Sequence, residues 1–388
     1  MNSAAIRGTV SPTGDDLLLI SWTMRIASYN VENLFNRAKA LDQRTWAAGR
    51  PVLEAFARAG ELLEESVYTD EVKREILREL ARLGLRNGDL AKFARLRQNR
   101  GRLLRRARDG RVEVVAGGRA DWIGWVELTT DRCDEQALLN TARVILDVRA
   151  DVLGVIEAES RHALKRFTEG GLRGLYHHIM VMDGNDERGI DVGVMSTGDF
   201  PLVGQRTHVD DADERGRVFS RDCPEYHFDI GRTEHLVVLV NHLKSKGYGG
   251  KVASDATRRR QAAHVKRIYE AQRSPYVVVL GDLNDTPESD PLAPLLRETD
   301  LRDISAHPGF SDGGRPGTYG YCTARNKLDY VLLSPALFDA ATGGGIERKG
   351  VWGGRNGVLW PIYDTMTRAV HAGSDHAAIY ADIDLNEL

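Results

Sequence analysis

The stretch Pro275-Tyr-Val-Val-Val-Leu-Gly-Asp-Leu-Asn284 is an apolar run followed by an aspartate and an asparagine. The run of β-branched and other apolar residues predicts a buried strand over 275–281. Asp282 stands where that strand ends. In layered α/β folds functional sites are built at strand ends, because the scaffold fixes these positions while the loops stay open. A lone aspartate there is also a common turn or helix cap, so Asp282 by itself leaves both interpretations open.

The same pattern repeats on both sides of this stretch. Strands are predicted over 25–31, 151–157, 177–182, 190–196, 235–241, 328–333 and 377–383, and helices over about 136–149 and 254–272. Polar residues stand where several strands end, most clearly Glu157 and His242 in addition to Asp282. The chain therefore predicts strands, separated by helices and long loops, whose ends bring polar side chains together.

Residues 37–125 differ in character and predict a mainly helical insertion with one hairpin. Apolar residues recur at helical spacing over 72–83, with Asp70 and Glu71 in the first turn and Gly84 as a stop. A second short helix is expected after Asp89, and Asp109–Gly110 predicts a hairpin turn. Residues 1–23 are expected to be a tail ahead of the first strand.

The insertion contains a strongly basic segment. Residues 92–111 include nine Lys or Arg and one acidic residue, Asp109, in a chain whose formal net charge is -3. One interpretation is a solvated face. The other is a surface that binds a phosphate backbone beside the active site, with Arg100, Arg102, Arg105 and Arg106 as its central residues. Trp122 and Trp125 would either stack on unpaired bases or form an apolar seam with the core.

The overall composition is that of an ordinary globular protein. Of 388 residues 42% are hydrophobic and 28% charged, and 53 Lys+Arg face 56 Asp+Glu, which excludes a globally basic nucleic-acid packaging protein. Three widely spaced cysteines without a CxxC pattern favour a reducing compartment. No signal peptide or membrane span is expected, so a cytoplasmic location without membrane association is predicted.

The polar residues at the strand ends point to a particular chemistry. They are carboxylates, asparagines and two histidines, and no serine or cysteine stands in a nucleophile motif. Hard carboxylate oxygens suit Mg²⁺ or Mn²⁺, whereas zinc prefers more His or Cys ligands. Together these groups indicate attack by activated water on a phosphorus centre.

Seven short motifs then occur in a fixed order. They are Ser28-Tyr-Asn-Val-Glu-Asn-Leu-Phe35, Val155-Ile-Glu-Ala-Glu159, Arg188-Gly-Ile-Asp-Val-Gly-Val194, Asn241-His-Leu-Lys-Ser245, Gly281-Asp-Leu-Asn284, Leu328-Asp-Tyr-Val-Leu-Leu333 and Gly373-Ser-Asp-His376. In this order they resemble the endonuclease/exonuclease/phosphatase superfamily, metal-dependent phosphoesterases that include pancreatic-type deoxyribonuclease, abasic-site endonucleases and neutral sphingomyelinases. The resemblance covers residues 24–36 and 135–388 and departs from the family in the long insertion.

The resemblance implies a fold and a division of roles. The fold is of the α+β class, a four-layer α/β sandwich of two packed, mostly antiparallel sheets, spanning 24–388 around the 37–125 insertion. The implied metal-binding residues are Asn30, Glu32, Glu157 and Asp375. The implied catalytic residues are Asp282 as general base, Asn284 as phosphate-holding amide, His376 oriented by Asp329, and His242 with Asp191 as its partner. Lys244 and Ser245 of the His242 motif are implied to bind substrate.

Three alternatives stay open at this point. Asp191 would look the same in a salt bridge with Arg188, and Glu159 shares a strand face with Glu157 and is an alternative metal ligand. The basic segment would also suit a partner protein. The complete set of motif residues argues against a non-catalytic binding module.

The resemblance and the basic segment together predict a Mg²⁺-dependent nuclease, with Mn²⁺ as a second candidate ion and DNA, or RNA, as substrate. The alternative enzyme is a phosphodiesterase or phosphatase acting on a small-molecule or lipid phosphate. No membrane-binding hydrophobic hairpin is evident, which counts against a lipid.

Overall fold

The computed structural model describes residues 22–32, 40, 46–129, 134–186, 190–246 and 250–388. These residues belong to two compact units, one formed by the chain up to Phe35 and from Asp134 to Leu388, the other by Asn36–Cys133. Most of the expected tail and the first part of the expected insertion lie outside the described residues. Thr23, expected in the tail, is already the first residue of a strand.

The helices and strands of the described residues are as follows. The helices are α1 (Trp46–Glu64), α2 (Asp70–Arg82), α3 (Glu135–Val148), α4 (Arg161–Gly171), α5 (Lys251–Glu270), α6 (Ala293–Leu296) and α7 (Pro335–Asp339). The strands are β1 (Thr23–Asn30), β2 (Ala94–Arg100), β3 (Leu104–Arg106), β4 (Val112–Val114), β5 (Ile123–Leu128), β6 (Val152–Ala158), β7 (His178–Met182), β8 (Asp191–Ser196), β9 (Leu202–Arg206), β10 (Ala212–Asp213), β11 (Gly216–Arg217), β12 (Glu225–Phe228), β13 (Leu236–His242), β14 (Val277–Asp282), β15 (Arg302–Asp303), β16 (Phe310–Ser311), β17 (Asp329–Leu333), β18 (Ala341–Glu347) and β19 (Ala378–Asp384).

Two large sheets form the first unit. One has seven strands in the order β16-β18-β19-β1-β6-β8-β7, and the other has six in the order β15-β17-β14-β13-β12-β9. Most neighbours are antiparallel, but β1 pairs with β6, β13 with β14 and β16 with β18 in parallel. A parallel pair needs a crossover connection, which α5 provides between β13 and β14.

Three apolar cores define the layers of this unit. Side chains of both sheets pack together between them, for example Ile26 and Val152 of one with Val238 and Leu280 of the other. A second core lies between α3 and the outer face of the seven-stranded sheet, and a third between α5 and the six-stranded sheet. The order helix, sheet, sheet, helix confirms the four-layer α/β sandwich.

The central strands β13 and β14 are buried along their whole length. Both faces of each strand are covered, one by the opposite sheet and one by α5, which explains why their sequences are continuous apolar runs rather than alternating ones. Burial therefore continues up to the strand ends, where His242 and Asp282 stand.

In the described part of the second unit, two helices and two β-ribbons surround a core. Thr69 caps α2 by accepting a hydrogen bond from the Val72 amide (3.3 Å), and α2 has the expected apolar spacing. The hairpin expected at Asp109–Gly110 is confirmed, because it joins β3 to the paired β4. The core of this unit includes Trp122, which is fully buried.

The prediction of a short helix after Asp89 is wrong. That segment contains β2, which pairs antiparallel with β5. Ala94 and Leu96 face the core of this unit, whereas the Arg97 side chain is exposed. This alternation has the period of a strand, and the density of arginines had obscured it.

In the part of the chain that the structure describes, no helix is both long and apolar enough to cross a bilayer.

Gly281, at the end of β14, lies in close contact with β13, and its substitution tests that contact. It has a φ of +133°, and a Cβ atom there would lie 1.9 Å from the Asn241 carbonyl oxygen. We expect Gly281→Ala to lower the free energy of unfolding by about 2–4 kcal/mol. Gly170→Ala in α4 is the control, because a Cβ there meets no atom within 4 Å. Urea unfolding should show Gly170→Ala as stable as the parent chain; equal stability of Gly281→Ala would contradict this account of the β13–β14 contact.

Candidate active site

Three polar side chains lie side by side where strands of the six-stranded sheet meet. His242 is opposite Asp282 in the parallel pair β13–β14, and Asp282 is opposite Asp329 in the antiparallel pair β14–β17. All three are at most 4% exposed. The strand register alone therefore places a buried histidine and two buried carboxylates in one row.

The seven-stranded sheet contributes the residues that face this row. Asn30 ends β1, and its side-chain amide lies 3.4 Å from Glu157 Oε1 and 3.3 Å from Asp282 Oδ2. His242 Nε2 lies 3.8 Å from the same Glu157 oxygen and 3.7 Å from the same Asp282 oxygen. The ends of the two sheets thus meet in a single polar cluster.

His376 approaches Asp282 from the other side. Its Nε2 lies 3.9 Å from Asp282 Oδ2, and its Nδ1 is hydrogen-bonded to Asp329 Oδ2 at 2.8 Å. The Ser374 hydroxyl accepts a hydrogen bond from the His376 amide (2.9 Å) and donates one to the Asn30 carbonyl (2.7 Å). Both the ring and the backbone of His376 are therefore held in place.

A second acidic pair borders the cluster. The Asp375 amide donates a hydrogen bond to Glu32 Oε2 at 2.8 Å, and the Glu32 amide donates to Asn30 Oδ1 at 3.0 Å. Asp375 Oδ1 lies 3.8 Å from His376 Nε2. All the carboxylates expected to bind a metal, Glu32, Glu157 and Asp375, thus border one region of the molecule.

Backbone strain is concentrated in the same region. Glu32, Glu157 and Asn284 have φ values of 47°, 67° and 56°, a left-handed conformation that non-glycine residues seldom adopt. At Glu157 the strand pairing also shifts register between Ile156 and Ala158. Such strain is tolerated only where the surrounding contacts enforce it, and it is common at functional sites.

The crowded carboxylates hold protons more tightly than usual. Burial and the neighbouring charge of Asp329 raise the pKa of Asp282 to about 7. Burial and the charge of Asp375 raise the pKa of Glu32 to about 8, and burial raises the pKa of Asp375 as well. This excess of negative charge is the environment that a divalent cation neutralises.

The pKa of His376, which lies beside these carboxylates, is also raised, but for a different reason. Burial by itself lowers the pKa of His376, but the charge and hydrogen bond of Asp329 outweigh it and raise the pKa well above its ordinary value. His376 is therefore an imidazolium at neutral pH, next to carboxylates.

The loops that follow β13 and β14 are tied together by hydrogen bonds. The Asn284 amide donates to Asp282 Oδ1 (2.9 Å), and the Asn284 side chain donates to the Leu243 carbonyl (3.1 Å). The Lys244 amide donates to Gln261 of α5 (2.8 Å). These bonds hold Asn284 and Lys244 close to the ends of the two strands, where Asp282 and His242 stand, and Ser245 follows directly.

The structure distinguishes Glu157 from Glu159, and it gives one hydrogen bond of Asp191. Glu157 contacts Asn30, whereas Glu159 is exposed, so Glu157 is the carboxylate in the cluster. Asp191 accepts a hydrogen bond from the Gly184 amide (2.8 Å), and burial raises its pKa to about 6. Arg188 lies outside the described residues. The pairing of Asp191 with His242 stays a prediction.

The four arginines expected to bind substrate lie in the second unit. Arg105 forms an ion pair with Glu113, and Arg106 with Asp89 at 2.8 Å. Arg100 donates to the Ala120 carbonyl at 3.1 Å, and Arg102 is exposed. Part of the basic charge is therefore balanced locally, as expected for a solvated face.

Sequence reasoning missed Thr318 and Tyr319. The Tyr319 ring lies 4.8 Å from the His376 ring, measured between centroids. The Thr318 hydroxyl accepts a hydrogen bond from the Asp329 amide at 3.1 Å. Both residues lie in a loop without periodic pattern, so no local signal could have identified them; the bonds of Thr318 with Asp329 and the pairing of Tyr319 with His376 bring them to the site.

The donor set fits a hard divalent cation. Among the described residues, ligand atoms of Asp282, Asp329 and His376 lie within 4.8 Å of one another. The ring of His376 is, however, already bonded through Nδ1 to Asp329, so this trio is better suited to proton transfer than to ligation. The oxygens of Glu157, Asn30, Glu32 and Asp375 are the ligands that Mg²⁺ or Mn²⁺ prefers.

One family model matches the chain. It is described as the Endonuclease/Exonuclease/phosphatase family and matches residues 115–376, more than half of the sequence. The match includes Glu157, His242, Asp282 and His376, but Asn30 precedes it. No curated protein sequence matches the chain.

Solved structures show distant similarity to this chain. A mannosyl-6-phosphatase from Bacteroides thetaiotaomicron is 16% identical with a TM-score of 0.48, covering 63% of this chain and 90% of its own. Truncated TDP2 from Caenorhabditis elegans is 18% identical, with a TM-score of 0.46 and coverages of 64% and 90%. Sphingomyelinase C from Streptomyces griseocarneus is 18% identical, with a TM-score of 0.44 and coverages of 64% and 92%.

The ion pair of His376 with Asp329 can be tested by titration. In Asp329→Asn the largest of the charges that raise the pKa of His376 is removed while burial remains, so that pKa should fall. NMR of histidine ring protons across a pH series measures it. Asp364→Asn, at an exposed pair with Arg143, should leave that pKa unchanged. An unshifted pKa in Asp329→Asn would contradict the assigned pairing.

Metal binding should depend on pH in a defined direction. The raised pKa values of Asp282 and Glu32 mean that protons occupy these carboxylates in the metal-free chain near neutral pH. A cation must displace them, so Mg²⁺ affinity should rise as pH increases through these pKa values, from about 6 to about 9, and level off above that range. Calorimetric titration in two buffers of different ionisation enthalpy should show more protons released at pH 7 than at pH 9. A pH-independent affinity would argue against a cation beside these carboxylates.

Proposed function

The chain belongs to the endonuclease/exonuclease/phosphatase family and is a metal-dependent phosphoesterase, and from this premise we propose that it is a Mg²⁺-dependent nuclease that hydrolyses phosphodiester bonds of DNA. The observation that carries the proposal is the position of two histidines on either side of Asp282. His242 Nε2 and His376 Nε2 lie 3.7 and 3.9 Å from Asp282 Oδ2. A diester phosphate next to Asp282 would have a nitrogen donor on each side.

Asn30, Glu32, Glu157 and Asp375 are the residues that would hold Mg²⁺, or Mn²⁺ in its place. When bound, the ion polarises a phosphoryl oxygen and offsets the charge of these carboxylates. Asn30 has a second role without the ion, because its amide links Glu157 with Asp282 and so keeps them in a fixed relation.

Asp282 is proposed as the general base. A water oxygen forms a bond to phosphorus, its proton passes to the Asp282 carboxylate, and the bond between phosphorus and the leaving oxygen breaks. The raised pKa of Asp282, about 7, suits this task, because a base is most effective when its pKa lies near the working pH. The Asn284 amide, bonded to Asp282 Oδ1, fixes the orientation of the carboxylate.

The two histidines are proposed to act on different oxygens of the phosphate. His376 carries a proton at neutral pH and donates it to the leaving oxygen, while Asp329 stabilises the charge that the ring holds until then. His242 donates a hydrogen bond to a non-bridging phosphoryl oxygen, with Asp191 proposed to orient it. Asn284, Lys244 and Ser245 are proposed to bind the same phosphate.

The preference for DNA is inferred from the second unit. Residues 86–129 carry eleven Lys or Arg and five Asp or Glu, whereas residues 46–82 of the helical half carry six and eight. Positive charge is therefore concentrated on the β-ribbon half, including Arg100, Arg102, Arg105 and Arg106, and a phosphate backbone is the polyanion that it would attract. A partner protein at this surface and a cytoplasmic location stay predictions.

Cleavage of supercoiled plasmid and of end-labelled oligonucleotides tests the proposal. With Mg²⁺ the chain should nick DNA, and with EDTA it should not. His242→Ala and Asp282→Asn should each slow cleavage about 10²–10⁴-fold, since the first removes a hydrogen-bond donor to the phosphoryl oxygen and the second removes the general base. His235→Ala is the matched control, because that histidine is exposed and stands before β13.

A different substrate would produce a distinct result. If no nucleic acid is cleaved while a small phosphodiester is hydrolysed in a His242- and Asp282-dependent way, the nuclease proposal is wrong and the site acts on a small or lipid phosphate. If cleavage persists in both variants, the assigned roles are wrong.

A further inference from the structure

One face of the ribbon formed by β2 and β5 carries exposed side chains. Leu96 pairs with Val126 on the buried face, and Arg97 pairs with Trp125 on the other. Trp125 is 51% exposed. We propose that this exposed face binds single-stranded nucleic acid by stacking an unpaired base on Trp125. The face is defined by Arg95, Arg97, Trp125 and Glu127, together with Arg100 at the end of β2 and Arg102 just beyond it.

Trp125 of this ribbon and Trp122, which directly precedes β5, have opposite environments. Trp122 is fully buried in the core of the unit. A Cβ on Gly124 would lie 2.2 Å from the Arg97 carbonyl and 2.4 Å from the Trp122 ring, so only glycine fits between the ring and the opposite strand. Trp122 thus contributes to the core packing of the unit, whereas half of Trp125 is exposed.

The charge around Trp125 suits a polyanion. Residues 86–129 carry six more cationic than anionic side chains. Arg97 is bonded across the ribbon to Glu127 at 2.5 Å, an exposed pair that holds the guanidinium on the same face as Trp125. Arg100 is bonded to a neutral carbonyl, and Arg102 is exposed. These two arginines at the ribbon end retain net charge for phosphates.

The chemistry favours a nucleic acid over a protein partner. The centre of a protein interface is depleted of charged residues, but the exposed face has a single large aromatic side chain among charged ones. An aromatic ring flanked by cations is instead the arrangement that binds single strands, since every base offers a flat face for stacking. Duplex DNA keeps its bases stacked on each other, so Trp125 should discriminate between the two forms.

This inference rests on the proposed function in taking DNA as the polymer, and it adds that the second unit selects unpaired segments. Binding and cleavage are therefore measured separately. The full chain carrying Asp282→Asn is titrated in EDTA against fluorescein-labelled dT15 and against a hairpin duplex of equal length, with anisotropy as the signal.

Trp125→Ala is expected to weaken binding of dT15 about tenfold, the effect of removing one stacked base, and to change duplex binding little. Trp125→Phe should retain part of the affinity. Trp22→Ala, which removes a tryptophan that is 59% exposed in the other unit, should bind as the parent does. Circular dichroism and thermal unfolding confirm that the variants are folded. Arg100→Ala with Arg102→Ala should reduce the dependence of log affinity on log salt by about 0.7 for each phosphate that these arginines neutralise in the parent chain.

Two outcomes overturn the inference: dT15 binding by Trp125→Ala that equals that of the parent, or no dT15 binding by the parent. The second outcome would leave this face to a protein partner. Plasmid nicking by the chain with Asp282 intact is scored independently. Nicking without Trp125-dependent binding would refute the inference alone, and Trp125-dependent binding without nicking would refute the nuclease proposal alone.

Discussion

The side-chain amide of Asn30 is the contact on which the arrangement of the site depends. It lies within 3.4 Å of both Glu157 and Asp282, which belong to different sheets, so it bridges the layers at their strand ends. The backbone carbonyl of Asn30 accepts a hydrogen bond from the Ser374 hydroxyl. The same hydroxyl accepts a hydrogen bond from the His376 amide. One residue of β1 thereby relates both halves of the sandwich and the loop of His376, and the packed core between the sheets keeps that relation rigid.

This arrangement carries a cost in stability. The left-handed backbone at Glu32 and Glu157 is unfavourable. In the metal-free chain the burial of carboxylates, which raises the pKa values of Glu32 and Asp282, is unfavourable as well. The fully buried strands β13 and β14 offset that cost, since their apolar side chains pack on both faces. The site is thus strained and highly charged, and it is supported by some of the most buried strands in the molecule, a division that lets an active site keep unfavourable groups in fixed positions.

The second unit shows how charge can hide a structural period. Its first half follows the helical pattern, and α2 lies where the apolar spacing predicts it. In its second half the frequent arginines occupy outward positions of strands, as Arg97 does on β2 and Arg105 on β3, where cross-strand Glu127 and Glu113 pair with them. These pairs became visible only through the strand register. Because long basic side chains suit an exposed helix and an exposed strand equally well, composition could not separate the two.

Eight of the thirteen strands that the described residues form in the two large sheets lie where the sequence predicts them, and β9, β12, β15, β16 and β18 were not predicted. Apolar runs without polar interruption have few alternatives to a buried strand, and the order of the seven motifs specified which ends carry Glu157, His242, Asp282 and His376. How these ends meet depends on contacts between elements far apart in the chain. The distances depend on parallel and antiparallel register and on packing between sheets, which involve residues hundreds of positions apart. For the same reason the contact of Tyr319 with His376 had no local signal: it arises from a long-range bridge between two loops, and no periodic pattern encodes such a pairing.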